Sequence, residues 1–223
     1  MIFRQLFDCQ PCTYTYLLAA RRGDGDHRPG AQKAEELAQL IDQLQLRLAV
    51  AIGTHTQADH ITALGTLRER SGCLTMTGER TRAQCASATL RDGEPLRFDG
   101  VELRAMDTAG HTDESFSLVM DDRVFTGDAL LILGRAAPTS RTAIRARPGI
   151  PCSTELLRQP GETRVDPGHD DRGWTVSTIA EERASNPRLQ VASAEEDAEL
   201  MGSAAAARVP ADGRGGAREP VLC

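Results

Sequence analysis

The chain has 223 residues, 40% of them hydrophobic, and 26 Lys and Arg against 32 Asp and Glu give it a formal charge of −6. That size and apolar content suffice for a buried core and exclude a wholly disordered chain, while the mild acidity excludes the broad basic surface that non-specific nucleic-acid binding needs. Aromatic residues make up 4%, and 20 glycines and 11 prolines break the sequence often, so a core of Ala, Leu and Val between many turns is expected rather than a bundle of long helices.

Residues 2 to 7 and 13 to 19 are rich in β-branched, aromatic and aliphatic side chains and read as two strands around a turn at Pro11. Arg21 to Gly30 (RRGDGDHRPG) is too polar and glycine-rich to bury and reads as an exposed loop. Leu37, Leu40, Ile41 and Leu44 then form a stripe at i, i+3, i+4 and i+7, which predicts a helix over 31–46. Leu48 to Ile52 is a short apolar strand running into the polar stretch Thr54 to His60, after which Ile61, Leu64 and Leu67 mark a second helix. A polar loop between strand and helix is a common place for a site. Two hairpins follow, one across Asp99-Gly100 and one across Asp121-Asp122. Thr175 to Ala184 predicts a last helix with Val176 and Ile179 inward, and the tail from Ser203, rich in Ala, Gly and Arg, is expected to be mobile.

No run approaches the roughly 18 to 20 apolar residues that cross a bilayer, and the stretch from Met1 to Phe7 is interrupted by Arg4 and Gln5. A soluble, unexported, cytoplasmic protein with no membrane partner is the expectation. Six cysteines are scattered through a chain large enough to fold without staples, so reduced thiols are expected. Cys9 and Cys12 form one C-x-x-C, suited to a redox pair or to half a zinc site, and no second C-x-x-C completes four thiolate ligands.

Four of the five histidines carry the chemistry. His27 lies in the charged loop, whereas His55, His60, His111 and His169 fall in polar turns directly after predicted strands. Their contexts are His55-x-x-x-Asp59-His60, Ala109-Gly110-His111-Thr112 and Pro167-Gly168-His169-Asp170, with Gly127-Asp128-Ala129 between the last two. Short rigid connections at strand ends could aim these imidazoles and carboxylates into one pocket.

In this order of blocks the sequence resembles the metallo-β-lactamase superfamily, whose pattern is H-x-H-x-D-H, a G-H, an Asp and a final G-H. Within it the chain is most similar to the persulfide dioxygenases, relatives of glyoxalase II, through Thr13 to Ala19 (TYTYLLA), Gly110 to Ser115 (GHTDES), Asp122 to Leu131 (DRVFTGDALL), Glu162 to His169 (ETRVDPGH) and Thr175 to Leu189 (TVSTIAEERASNPRL). The resemblance spans about residues 2 to 190 and implies a four-layer αββα sandwich over 1–190, followed by a C-terminal extension over 191–223. It further implies one Fe(II) per chain held by His55, His111 and Asp128, the two-His, one-carboxylate facial arrangement, with Asp59, His60 and His169 as its catalytic surroundings. The implied substrates are glutathione persulfide and O2, the products sulfite and glutathione, and a homodimer is compatible with the family.

The sequence departs from the pattern at Gln57, where the second His of H-x-H-x-D-H would stand. That His is a zinc ligand in the dinuclear hydrolases of the superfamily but lies outside the iron's ligand set in the dioxygenases. The departure therefore counts against the alternative of a zinc-dependent, glyoxalase II-like thioester hydrolase more than against a dioxygenase. A degenerate, non-catalytic member is the third reading, favoured by altered composition over 21–30 and 134–151. Arg135 stands near, though not in gapless register with, an arginine that the family uses to hold the glutathione moiety; with Tyr16, from the strand that also carries Tyr14, it is the candidate substrate contact.

Overall fold

The computed structural model describes residues 1–9, 12–19, 32–56, 64–81, 86–98, 100–134, 136 and 155–190, the side chains of 32–36 excepted. The first two predicted strands form an antiparallel pair, β1 (Ile2–Asp8) and β2 (Thr13–Ala19), in register from Ile2 opposite Ala19 to Asp8 opposite Thr13. Their alternation gives each strand two apolar faces with different partners. Phe3, Tyr16 and Leu18 face the main core, while Ile2, Leu17 and Ala19 meet Leu37, Leu40 and Ile41 of α1 (Gln32–Gln43).

Helix α1 is shorter than its apolar stripe predicts. Gln45 takes φ +54°, its N–H donates to Asp42 O and the N–H of Leu46 donates to Ile41 O, the paired bonds that close a helix on a left-handed residue. The stripe continues to Leu44 and Leu46 because both still pack on β1 and β2, although the helix has ended.

Next come β3 (Val50–Ile52), α2 (Leu64–Ser71), β4 (Leu74–Gly78) and β5 (Ala88–Leu90), whose three strands run parallel in the order β3-β4-β5. Strands β4 and β5 were not expected from the sequence. Leu74, Thr75, Met76 and Thr77 alternate apolar and polar side chains, yet Thr75 and Thr77 are both wholly buried, so the polar face of β4 is not a solvent face. Leu64 and Leu67 of α2 pack on Ala51 and Cys73, covering the outer face of this sheet.

The remaining strands are β6 (Pro95–Phe98), β7 (Val101–Asp107), β8 (Phe116–Val119), β9 (Arg123–Gly127), β10 (Arg164–Pro167) and β11 (Ser177–Thr178). They build one six-stranded sheet in the order β11-β10-β9-β8-β7-β6, antiparallel except between β9 and β10. Both predicted hairpins are present within it. One face of this sheet, through Leu103, Ala105, Leu118 and Phe125, shares a core with Met76 and Leu90 of the other sheet. The opposite face, through Met106, Val119, Val124 and Val165, is covered by Leu156 and by Ile179 of α3 (Ile179–Ser185). Helix, sheet, sheet, helix is thus the layer order, the expected αββα sandwich.

The last helix begins later than predicted. Ser177 and Thr178 extend the sheet, and the Thr178 side chain caps α3 by accepting from Glu181 N. Val176 therefore precedes the helix and is 47% exposed rather than inward, whereas Ile179 is fully buried as expected. The loop over 21–30, the Pro11 turn, Ile61 and the 191–223 extension lie outside the described residues. Cys9, Cys12 and Cys73 are free thiols, and among the described residues no helix is long and apolar enough to cross a membrane.

One buried ion pair gives the fold a pH dependence. Arg123 lies over the Phe3 ring at 4.2 Å and reaches Asp166 Oδ2 at 3.4 Å. Burial pushes the Asp166 carboxyl up to about 6 against the opposing pull of Arg123. Between about pH 4 and pH 6 the folded chain holds this proton more tightly than the unfolded chain, so this group's contribution to stability falls as pH rises through that window. Asp166→Asn should remove roughly 2–3 kcal/mol of that decline. Urea midpoints of both proteins at pH 4.5 and pH 7 measure it, and parallel pH slopes would refute it.

Candidate metal centre

Every predicted ligand, and His169 beside them, comes from a loop that leaves the end of a strand. His55 follows β3 in one sheet, His111 follows β7 in the other, Asp128 follows β9 and His169 follows β10. The two sheets are tied together here, since Phe116 N at the start of β8 donates to Thr54 O at 2.8 Å.

Two glycines let these loops approach one another, Gly127 against the His55 loop and Gly168 against the Asp128 turn. Gly127 has φ +52°, and a Cβ there would lie 2.6 Å from Thr54 Oγ1. A Cβ on Gly168 would lie 2.7 Å from Asp128 Oδ1. The turns are joined directly by Gly168 N donating to Gly127 O at 2.8 Å.

The His111 loop is held closed from several sides. Arg80 Nη2 meets Asp107 Oδ2 at 2.7 Å and its Nη1 donates to Asp113 O at 3.0 Å, so one guanidinium clamps both ends of the loop. Inside it, Thr108 N donates to Ser115 O, and the Thr112 and Ser115 hydroxyls lie 2.7 Å apart. Glu114, buried, accepts from Thr56 N at 3.0 Å and from Thr56 Oγ1 at 2.5 Å, which locks the His111 loop to the His55 loop. Sequence reasoning passed over Glu114 and Arg80 as site-building residues. The signal for the first was a carboxylate three residues after His111 at the start of an apolar strand; nothing local marks the second.

His55, His111 and Asp128 bring one ligand atom each to within 4.8 Å of one another. Asp128 Oδ2 lies 3.6 Å from His55 Nε2 and 3.7 Å from His111 Nε2, and the two imidazoles meet edge to face with centroids 5.0 Å apart. The other oxygen, Oδ1, is 2.6 Å from His169 Nδ1. One carboxylate thus turns one oxygen to the two imidazoles and the other to the His169 ring.

The electrostatics suit a cation. Burial pushes the His55 imidazole below its ordinary value, which leaves it neutral at pH 7 with a lone pair available. Thr54 Oγ1 lies 3.1 Å from its Nδ1, and a proton on Nδ1 donated to that oxygen leaves Nε2 as the free donor atom. Burial acts to raise the Asp128 carboxyl, but the His169 hydrogen bond and the neighbouring imidazoles outweigh it and hold the carboxyl below the usual range, hence ionised. Two imidazoles and one carboxylate, converging and largely buried, fit a divalent transition metal.

Tyr16 has another use than the substrate contact expected of it. Its hydroxyl donates to Pro167 O at 2.7 Å, accepts from Gln5 Nε2, and its ring packs on Phe125 at 4.9 Å. Burial pushes this hydroxyl well above the ordinary tyrosine range, so it stays a donor and braces the turn carrying His169. Gln57, Asp59, His60 and Arg135 lie outside the described residues.

His169→Ala should keep the metal and lose about 10 to 100-fold in activity, the usual cost of removing a partner that orients a ligand. Metal content and turnover of the purified variant test this, and complete metal loss would instead make His169 a ligand.

No family model matches the chain. It is 37% identical over 212 residues to the mitochondrial persulfide dioxygenase ETHE1 of Homo sapiens, covering 91% of this chain and 81% of that protein. The crystal structure of ETHE1 from Myxococcus xanthus superposes with a TM-score of 0.79 at 36% identity, over 95% of this chain and 93% of that one. A hydroxyacylglutathione hydrolase of Idiomarina loihiensis is more distant, at 25% identity over 179 residues, 78% of this chain and 69% of that protein. A Staphylococcus aureus metallo-beta-lactamase shares the fold at a TM-score of 0.75 and 16% identity, covering 95% of this chain and 68% of that one.

Proposed function

This chain belongs to the persulfide dioxygenase family of the metallo-β-lactamase fold, and from that membership we propose that it is a metal-dependent sulfur dioxygenase acting on glutathione persulfide. In the reaction one persulfide RSSH, one O2 and one water give one thiol RSH and one sulfurous acid, which ionises to sulfite; the terminal sulfur is oxidised and the thiol is released. The observation that carries the reading is the convergence of His55, His111 and Asp128, because a two-His, one-carboxylate set suits a single non-haem iron(II) with open positions. When bound, such an iron supplies redox chemistry and a meeting place for sulfur and dioxygen.

The chain's own residues supply the rest. Asp128 brings one negative charge against a dication, and His169 fixes its Oδ1 so that Oδ2 stays turned toward the imidazoles. Thr54 and the Glu114–Thr56 link hold the His55 ring and its loop in place, so little reorganisation is needed when the reactants arrive. Asp59, His60 and Arg135 enter the proposal from sequence alone, the first two as partners around the metal and Arg135 as a contact for the glutathione carboxylates. The substrate is a small molecule; the location proposed is the cytoplasm, where dispersed cysteines stay reduced, and the human relative is named as mitochondrial.

Metal analysis of protein purified without added metal, paired with oxygen uptake on glutathione persulfide, tests the proposal. About one iron per chain with uptake is the expected result. Zinc with thioester hydrolysis and no uptake would replace it by the hydrolase reading, which the lower identity to hydroxyacylglutathione hydrolases disfavours.

A further inference from the structure

The C-x-x-C pair is not used by the chemistry above, yet the fold places Cys12 beside the turn that carries His169. Asp8 pairs with Thr13 at the end of the β1–β2 hairpin, so Cys9 and Cys12 are the next facing positions across the turn. The Cys12 thiol lies 3.5 Å from Cys9 O, and Cys9 is exposed. Facing hairpin positions bring two cysteines into the range that a disulfide can bridge, and closing the bridge fixes the geometry of both residues.

Cys12 is also joined to the turn that holds His169. Its carbonyl accepts from Asp170 N at 3.1 Å, Thr13 bridges His169, and Tyr14 N donates to Gly168 O at 2.8 Å. His169 in turn sets Asp128 through the 2.6 Å bond. Cys12 takes φ +66°, a left-handed conformation that a non-glycine residue adopts only when its surroundings impose it. A covalent pull toward Cys9 would therefore act on a carbonyl that is one hydrogen bond from the catalytic turn.

We propose that Cys9 and Cys12 are a thiol pair that persulfides convert to a disulfide, and that the disulfide displaces the His169 turn and slows the enzyme. The exposed Cys9 thiolate attacks the sulfane sulfur of RSSH, forming a Cys9 persulfide and releasing RSH. The Cys12 thiol then attacks the Cys9 sulfur, the sulfur–sulfur bond of the Cys9 persulfide breaks, and hydrogen sulfide leaves. In sum, one RSSH and the two cysteine thiols give one RSH, one hydrogen sulfide and the Cys9–Cys12 disulfide, with the persulfide as the oxidant. Slowing rests on the dioxygenase reading; disulfide formation does not.

The full-length, metal-loaded protein is incubated anaerobically with glutathione persulfide, alkylated and peptide-mapped. The expected products are a linked Cys9–Cys12 peptide and one hydrogen sulfide per disulfide. On return to air, oxygen uptake should be lower by about tenfold and recover with dithiothreitol, while Cys9→Ser and Cys12→Ser show neither effect. Cys9 and Cys12 still fully alkylated after persulfide treatment would overturn the proposal. If the reduced protein takes up no oxygen, the dioxygenase reading fails by itself. The coupling is then read from hydrogen exchange at Gly168 to Asp170, expected to be faster in the disulfide form; unchanged exchange there overturns it.

Discussion

Asp128→Ala should yield a folded protein without bound metal and without measurable oxygen uptake. Asp128 is the anionic member of the cluster, and its Oδ2 is the atom nearest both His55 and His111 Nε2. Removing it leaves two imidazoles and no anionic group to hold a dication in a buried site, and three convergent ligands contain no spare. His169 loses its partner at the same time. Metal affinity should fall by more than the roughly 100-fold seen when only an orienting partner is removed. His55→Ala and His111→Ala should behave alike. Asp128→Asn should also lose the metal despite near-identical shape, which separates charge from packing. Metal per chain, oxygen uptake and a melting curve on each variant measure this, and a full complement of metal in Asp128→Ala would overturn the ligand assignment.

Glu182→Ala should have the largest effect on stability, about 3 kcal/mol or more. Glu182 in α3 is fully buried, and its carboxylate accepts from Leu133 N at 3.0 Å, Ser177 Oγ at 2.6 Å and Asn186 Nδ2 at 2.7 Å. Truncation removes the acceptor of three donors at once, two of them on buried side chains, and an unsatisfied buried donor costs about 1–3 kcal/mol, although Asn186 Nδ2 keeps Gly134 O and relaxation recovers part. The turn it holds, Leu131 to Gly134, begins three residues after Asp128, and Leu133 takes φ +50° within it. Activity should therefore drop with stability, and Glu182→Gln, which keeps the shape and one acceptor, should fall between. Urea midpoints give the stability difference; a loss under about 1 kcal/mol would mean that water replaces the carboxylate.

Fold and site were legible in the sequence to different depths. Strands β1 and β2, both later hairpins and the core-facing Ile179 follow from alternation, turn residues and burial propensity, which act within a few residues. Strands β4 and β5 escaped because both are short and β4 is buried on both faces: Met76 and Leu90 meet the opposing sheet while Thr75 and Thr77 are wholly buried, and such partners are not contained in the local pattern. Val176 was misplaced for a related reason, since pairing of Ser177 with Val165 moves the start of the helix from Thr175 to Ile179.

At the site, the strand-end placement of His55, His111, Asp128 and His169 was visible in the chain order, and the resemblance of that order to the metallo-β-lactamase pattern pointed to a metal centre. What the sequence by itself determined is the inventory: which ligands exist, on which loops, and in what succession. Only the tertiary structure decided their division of labour. Asp128 splits its two oxygens between the imidazole pair and His169, Tyr16 braces Pro167, and Arg80 and Glu114 lock the His111 loop. The physical reason is distance along the chain. A motif fixes the identity of groups that chemistry requires, but hydrogen bonds between residues 58 or 151 positions apart exist only once two sheets have packed and brought their strand ends together.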